Sequence, residues 1–348
     1  MNSAALCCFL PKVILYKRKS TMQSERTKRG KKYDVIALGE LLIDFTENGI
    51  SEQGNPMMEA NPGGAPCNVL AMLNKLSKKT AFIGKVGNDQ FGNSLKNVLD
   101  NLGIGTKNLY LDDEIHTTLA FVHTHEDGDR DFAFYRNPGA DMMLTEDEVN
   151  EDEIKNAKIF HFGTLSMTHD GVKKATKKAV SIAKSAGVII SFDPNLRPPL
   201  WDSIDNAKEQ ILYGLSVCDI VKIADNEIQF VTGCDDIEEG ARKIKEKYKN
   251  IKLLLATLGK DGSIAYYDNK VVRVKPFINE NTIETTGAGD TFCACVLNYV
   301  LENGLEDLSE KDLSSMLTFA NGAASLITTK RGALKVMPEK EEVLAYIK

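Results

Sequence analysis

The 348-residue sequence predicts an α/β layered fold with a mainly parallel sheet. Short β-branched apolar runs end at Gly or Asp, as in Tyr33–Gly39 and Val188–Asp193. Stretches of helical periodicity follow most of these runs, and the alternation returns along the chain. Tyr33–Gly39 reads as a buried strand, Ala65–Leu76 as a helix and Thr80–Lys85 as the next strand. Phe91–Leu102 is helical, with Leu95, Val98, Leu99 and Leu102 on one face. The pattern continues through strands at Ile159–Phe162, Val188–Asp193, Ile220–Ile223 and Lys252–Thr257. Helices are expected at Gly171–Ala186, Ile211–Leu215, Ile237–Tyr248, Thr291–Leu301 and Leu313–Thr328. In such folds, site residues lie at the carboxyl ends of the strands. Asp193, after Ile189-Ile190-Ser191-Phe192, occupies such a position.

One stretch breaks the alternation. Thr117–His125 and Arg130–Arg136 read as two strands joined by Glu126-Asp127-Gly128-Asp129, and Asp-Gly is a strong hairpin signal. With short strands near Asp44–Thr46 and Met57–Glu59 they form a small separate sheet. It is either a flap that excludes water from a site or an edge hairpin packed on the core.

Composition is that of a globular protein, 43% hydrophobic and 26% charged. Of the 43 basic and 49 acidic side chains, nine and one fall within residues 1–32, which leaves the body at −14. An acidic body argues against a nucleic-acid surface, and no apolar run reaches membrane-spanning length. Seven cysteines in no metal-ligand pattern fit a reducing compartment, so the expected location is cytoplasmic. Residues 1–32 read as an unstructured extension, an organelle-targeting peptide, or sequence preceding a start at Met22; residues 33–348 form the main domain.

The most informative run is Glu284-Thr285-Thr286-Gly287-Ala288-Gly289-Asp290-Thr291-Phe292. Small residues entering a helix let backbone N–H groups face an anion, and phosphate suits them best. Asp290 is then either an ordinary helix cap or a general base beside an anion hole formed by Gly287, Ala288, Gly289 and Asp290 amides. The second reading describes phosphoryl transfer to an alcohol. Asn61-Pro62-Gly63-Gly64-Ala65-Pro66-Cys67-Asn68 enters a helix as a sugar-binding loop or as a plain turn. Thr257-Leu258-Gly259-Lys260-Asp261-Gly262 runs under a nucleotide or is a strand–turn–strand link. Neither a P-loop ending nor a dinucleotide fingerprint occurs. Asp193-Pro194-Asn195-Leu196-Arg197 places an acid, an amide and a guanidinium after a strand. The five histidines show no metal or triad spacing.

In this order the motifs resemble the ribokinase-like carbohydrate kinases, and within them the fructokinases, from about Tyr33 to Pro338. The resemblance rests on Gly39-Glu40-Leu41-Leu42-Ile43-Asp44, the Gly63-Gly64 loop with Asn68, Phe82–Asp89 and Tyr135-Arg136-Asn137-Pro138. It continues through Asn195-Leu196-Arg197-Pro198-Pro199-Leu200-Trp201, the run ending at Asp290, and Ala320-Asn321. It implies a three-layer sandwich with a small β-lid (strands about 44–60 and 115–137) and a homodimer. It also implies ATP-dependent phosphorylation of a sugar, most closely D-fructose, with Asp290 as base. Asp44, Gly63, Gly64, Asn68, Arg136 and Arg197 are then sugar contacts, and Thr257, Gly259, Gly262 and Asn321 lie at the nucleotide. By the same resemblance Glu227 belongs to the network that orders the water on Mg²⁺. Two positions depart from the pattern. Ala224 stands where Asn often precedes Glu227 by three, and Glu284 replaces an Asp that helps hold a monovalent cation in some members, which leaves that cation open. The alternatives are a 2-keto-3-deoxygluconate kinase, whose carboxylate substrate needs an extra cation such as Arg136 or Arg197, and a non-catalytic regulator.

Overall fold

The computed structural model describes residues 30–124 and 130–348. From the amino end follow β1 (Tyr33–Leu38), β2 (Leu42–Ile50), β3 (Pro56–Gly63), α1 (Ala65–Lys75), β4 (Thr80–Gly87) and α2 (Gln90–Asn101). Next are β5 (Gly105–Asp112), β6 (Leu119–Thr124), β7 (Arg130–Tyr135), α3 (Glu151–Lys155), β8 (Ala157–Gly163), α4 (Asp170–Ser185) and β9 (Ile189–Asp193). Then come α5 (Ile204–Val217), β10 (Ile220–Ala224), α6 (Asp225–Thr232), α7 (Ile237–Lys247), β11 (Leu253–Thr257), β12 (Ser263–Tyr267) and β13 (Lys270–Val274). The chain ends with α8 (Ala288–Asn303), α9 (Glu310–Ile327) and α10 (Lys340–Tyr346).

The main sheet has nine strands in the order β13-β12-β11-β10-β9-β8-β1-β4-β5. All its pairs are parallel except β11–β12 and β12–β13. Period-two alternation explains why helices cover both faces. In β1, Val35 and Ala37 enter one core while Ile36 and Leu38 enter another; in β11, Leu253 and Leu255 oppose Leu254 and Ala256. The first core belongs to α1, α2, α8 and α9, the second to α4, α5, α6 and α7. The result is a three-layer sandwich.

Strand order reverses at β1, which has β4 on one side and β8 on the other. A crevice outside the carboxyl ends of the strands follows from such a reversal. Glu40 just past β1, Asp193 at the end of β9, Ala224 at the end of β10 and Thr257 at the end of β11 all lie there.

A smaller sheet has the order β3-β2-β6-β7. Strand β2 leaves the core at buried Leu42 and Ile43 and runs out to exposed Glu47–Ile50. Phe45 stacks on Phe121 with ring centroids 4.9 Å apart and meets Phe91 of α2 edge-on at 5.6 Å. The other face carries Asp44, Thr46 and Asn61 towards the crevice. The expected Glu126–Asp129 turn and residues 1–29 lie outside the described residues.

The structure adds elements that the patterning does not reveal. Strand β5 opens with the polar Gly105-Thr106-Lys107-Asn108, and β13 is an edge strand of alternating half-buried and exposed residues. Helix α5 begins at Ile204, well before Ile211, because Ser203 caps it by accepting from Asn206 N at 3.1 Å.

Candidate active site

A cavity of about 420 Å³ lies in the crevice, lined by Asp44, Gly64, Asn68, Arg197, Lys222 and Asp290, among others. Gly63 and Gly64 are required there by close packing. A Cβ on Gly63 would fall 2.2 Å from Asp44 Oδ2, and one on Gly64 would fall 2.4 Å from the Glu40 carbonyl oxygen. Gly64 also has φ 124°, outside the usual range of L-residues. The loop is thus shaped around Asp44 and leads into α1, where buried Glu40 accepts from Ala65 N–H at 2.8 Å. Asn68 Nδ2 donates to Asp290 Oδ2 at 2.8 Å, while Asn68 Oδ1 is buried with no partner among the described residues. A buried acceptor left unpaired in a residue of the cavity wall calls for a partner. Arg197 is exposed on the rim; its Nη1 donates only to the Leu196 carbonyl at 3.1 Å.

Asp290 is not the cap of its helix. The cap position of α8 belongs to Gly287, which holds φ 77° and supplies no side chain. Asp290 sits a turn further on, with its carboxylate in the cavity. Burial and Asp193 push its pKa up to about 6; the Asn68 bond, Lys222 and Arg197 restrain the shift. That value suits a base working near neutrality. Helix α8 leaves first-turn amides without helical partners. Ala288 N–H is taken by the Thr285 carbonyl at 3.2 Å, whereas Gly287, Gly289 and Asp290 N–H show no backbone partner among the described residues.

Lys222, on β10, is buried and pairs with Asp193 at 3.1 Å. A Cβ at Gly289 would stand 3.2 Å from Lys222 Nζ, which places the ammonium beside the anion-binding turn. Asp193 and Glu227 hold its pKa above the ordinary lysine value against burial. Glu227 accepts from Leu196 N and Ala224 N, both at 2.8 Å, and so ties the loops after β9 and β10 together. Glu227 also lines the cavity. Among the described residues no cluster of three or more metal-ligating side chains exists.

A second cavity of about 510 Å³ adjoins the first and shares Lys222, Ala224, Thr285 and Gly289 with it. It is lined by Thr257, Gly259, Gly262, Phe277, Phe292 and Asn321, among others. Gly262 has φ 91°, and a Cβ there would lie 2.2 Å from the Val274 carbonyl. The Gly259–Gly262 segment is therefore both the strand–turn–strand link between β11 and β12 and part of the cavity wall. Asn321 accepts from Ser263 Oγ at 2.9 Å and donates to the Lys275 carbonyl at 3.1 Å, so it shapes the wall through the backbone.

Residues 32–340 match the pfkB family of carbohydrate kinases. The chain belongs to that family. Fructokinase-2 of Solanum lycopersicum is 40% identical over 90% of this chain and 96% of its own length. A protein of Arabidopsis thaliana described as "Probable fructokinase-6, chloroplastic" is 43% identical over 89% of this chain and 81% of its own length. The ATP-bound fructokinase structure of Xylella fastidiosa superposes with a TM-score of 0.82 and 29% identity, over 90% of this chain and 98% of that one.

Within this pfkB frame one expected sugar contact is placed elsewhere. Arg136 does not line the cavity. Its Nε donates to Asp141 Oδ2 at 2.8 Å, Nη1 to Thr168 Oγ1 at 2.8 Å and Nη2 to the Leu165 carbonyl at 2.9 Å. A guanidinium buried at this depth needs a counter-ion, and Asp141 provides it. Asp44, Gly64, Asn68, Arg197, Glu227, Gly287, Gly289 and Asp290 do come together around one cavity. Gly63 borders it through Asp44, and Ala288 lies in the wall of the second cavity. Sequence reasoning missed Lys222 and Glu40 as site residues. The available signal was a charged side chain at the end of an apolar strand, Ile220-Val221-Lys222-Ile223 and Leu38-Gly39-Glu40. Glu284 accepts from Gly332 N at 2.9 Å, a reach that bridges the segment before the turn to the 328–333 loop.

Proposed function

We propose that the protein transfers the γ-phosphoryl group of MgATP to the primary hydroxyl of D-fructose, giving D-fructose 6-phosphate. The observation that carries this reading is the place of Asp290. It lies in the sugar-side cavity, bonded to Asn68, one residue from the Gly289 that both cavities share. The carboxylate takes the hydroxyl proton, the oxygen attacks the γ-phosphorus in line, and ADP leaves into the second cavity. Amides of Gly287, Gly289 and Asp290 receive the charge that spreads over the transferring oxygens, with Lys222 beside them. Mg²⁺, when bound with ATP, neutralises phosphate charge, and Glu227 would hold the water on it. D-fructose as acceptor is supported by the fructokinase relatives and by a cavity rich in hydrogen-bonding side chains.

ADP release with MgATP across fructose, 2-keto-3-deoxygluconate, ribose, glucose and adenosine tests it, with Asp290→Asn alongside. Selective turnover of fructose, reduced about 10²–10⁴-fold in the variant with sugar binding retained, is the expected result. Nucleotide binding without ADP formation for any acceptor would instead favour a regulator.

A homodimer joined through the outer face of the small sheet is part of the same reading. That face carries Phe45 and Phe121 and leaves Tyr135 67% and Met58 36% exposed. Light scattering on the wild type and on Tyr135→Glu checks it: a dimer that the charge splits is expected, and a monomeric wild type would end it. Among the described residues no helix is long and apolar enough to cross a membrane. We place the protein in the cytoplasm, against the organelle address carried by one relative's name; imaging of a C-terminally tagged full chain decides between them.

A further inference from the structure

We propose that Asp141 is a specificity-determining residue that keeps the site for neutral sugars by neutralising Arg136. The inference rests on the sugar-kinase reading above and concerns which sugars that site takes.

The side chains lining the sugar-side cavity include the carboxylates of Glu40, Asp44, Glu227, Glu284 and Asp290, against the cations of Arg197 and Lys222. Lys222 is already paired with Asp193, so Arg197 on the rim is the lining cation left for an anionic substrate. A sugar acid would bring one more negative charge into this acidic space. Its carboxylate would need a second cation close by.

Arg136 is the next cation, one layer behind the wall. The Leu165 carbonyl that receives its Nη2 belongs to a residue lining the cavity, and buried Glu40 of the same wall lies within the electrostatic reach of both Arg136 and Asp141. Asp141 cancels this charge. It accepts from Arg136 Nε and Nη2 through Oδ2 and from Thr118 through Oδ1, and both side chains of the ion pair are only 2% exposed. Seen from the cavity, the pair is close to neutral. With residue 141 uncharged, a buried and uncompensated guanidinium would project its field into the cavity through a medium that screens poorly.

The test uses wild type, Asp141→Asn and the double variant Arg136→Met/Asp141→Leu, all as the full chain. Asn keeps the shape and one acceptor for Arg136 while removing the charge; Met and Leu replace the whole pair by apolar volume, a change that buried ion pairs often tolerate. Each is assayed for kcat/KM with D-fructose and with 2-keto-3-deoxygluconate. Calorimetric binding of each sugar and thermal melting accompany the assays. Asp141→Asn is expected to lower the fructose-to-sugar-acid ratio about ten-fold or more, through tighter binding of the acid, with the gain shrinking as salt rises. The double variant is expected to keep the wild-type ratio, since it is neutral again.

A folded Asp141→Asn whose ratio and acid affinity match the wild type overturns the proposal. So does a double variant whose ratio shifts, because packing and not charge would then set the preference; this second arm decides even if Asp141→Asn does not fold. Wild-type preference for the sugar acid, or for no tested sugar, would overturn the fructose reading instead. The change in acid binding between variants is measured separately from that outcome.

Discussion

Asn68, in the first turn of α1, donates a 2.8 Å hydrogen bond to the carboxylate of Asp290, in the first turn of α8, across 222 positions of the chain. The bond joins the sugar loop to the proposed base. It also aims the carboxylate, because a rotated Asp290 would lose this donor.

Removing this donor has two readable effects. A hydrogen bond to the charged form lowers a carboxylate's pKa, so Asn68→Ala should raise that of Asp290 and move the acid limb of kcat to higher pH. It also removes a polar side chain from the wall of the cavity proposed for the sugar. Loss of a bond to a charged group is worth roughly 1.5–3 kcal/mol, so kcat/KM for fructose should drop about 10–100-fold. Steady-state kinetics across pH would check both, and an unmoved acid limb would refute the link.

The pH profile itself follows from Asp290. A base with a pKa of about 6 is deprotonated above that value, so kcat should be flat at pH 7–8 and decline below about 6. Lys222 favours the ionised base and Asp193 disfavours it. Lys222→Met should therefore shift the acid limb upward and Asp193→Asn downward. Shifts of the same sign in the two variants would contradict the electrostatic account.

Gly63→Ala should injure the sugar side alone. Its Cβ would lie 2.2 Å from Asp44 Oδ2, which forces the carboxylate to turn. The backbone at Gly63 is not left-handed, so the fold should lose no more than about 1–2 kcal/mol. The KM for fructose should rise ten-fold or more while the KM for ATP stays put, about 1.4 kcal/mol of sugar binding. Equal changes in both constants would show a general disturbance.

Glu40 supplies a stability test. Burial, aggravated by Asp141, pushes its pKa up to about 7 against an ordinary 4.5. The folded state therefore holds this proton more tightly than the unfolded chain. The resulting stabilisation is complete below about pH 4.5 and is lost as pH climbs through 7. Glu40→Gln, which keeps an acceptor for Ala65 N–H, should be more stable than wild type at pH 8 by up to about 3 kcal/mol. At pH 4.5 the two should melt alike, and a constant difference at both pH values would rule out titration of Glu40 as its source.

The layered fold was readable because its signal is periodic. Tyr33–Leu38, Thr80–Gly87 and Leu253–Thr257 are apolar enough to be strands buried on both faces. Strand β5 was not readable, since its first four residues are polar or glycine and it gains its place from pairing with β4. In the site, Gly63, Gly64 and the Gly287–Asp290 turn announce close backbone approach in the sequence itself. Arg136 shows the limit. An arginine followed by an Asn-Pro-Gly turn looks available for a ligand, and only packing reveals that Asp141, five residues on, has claimed it. Lys222 shows the converse: a lysine inside an apolar run looks like an accident until Asp193, 29 residues away in sequence, is seen beside it.

The position of β1 between β4 and β8 also bears on how the chain is made. As synthesis proceeds, β1 can pair with β4 once about fifty further residues have emerged, but its second edge waits for Ala157–Gly163. Until then a strand whose last four residues are all apolar keeps one side unzipped at the heart of the future sheet, a template for pairing with a neighbouring nascent chain. A chain stalled between residues 90 and 157 would thus keep that edge of β1 open.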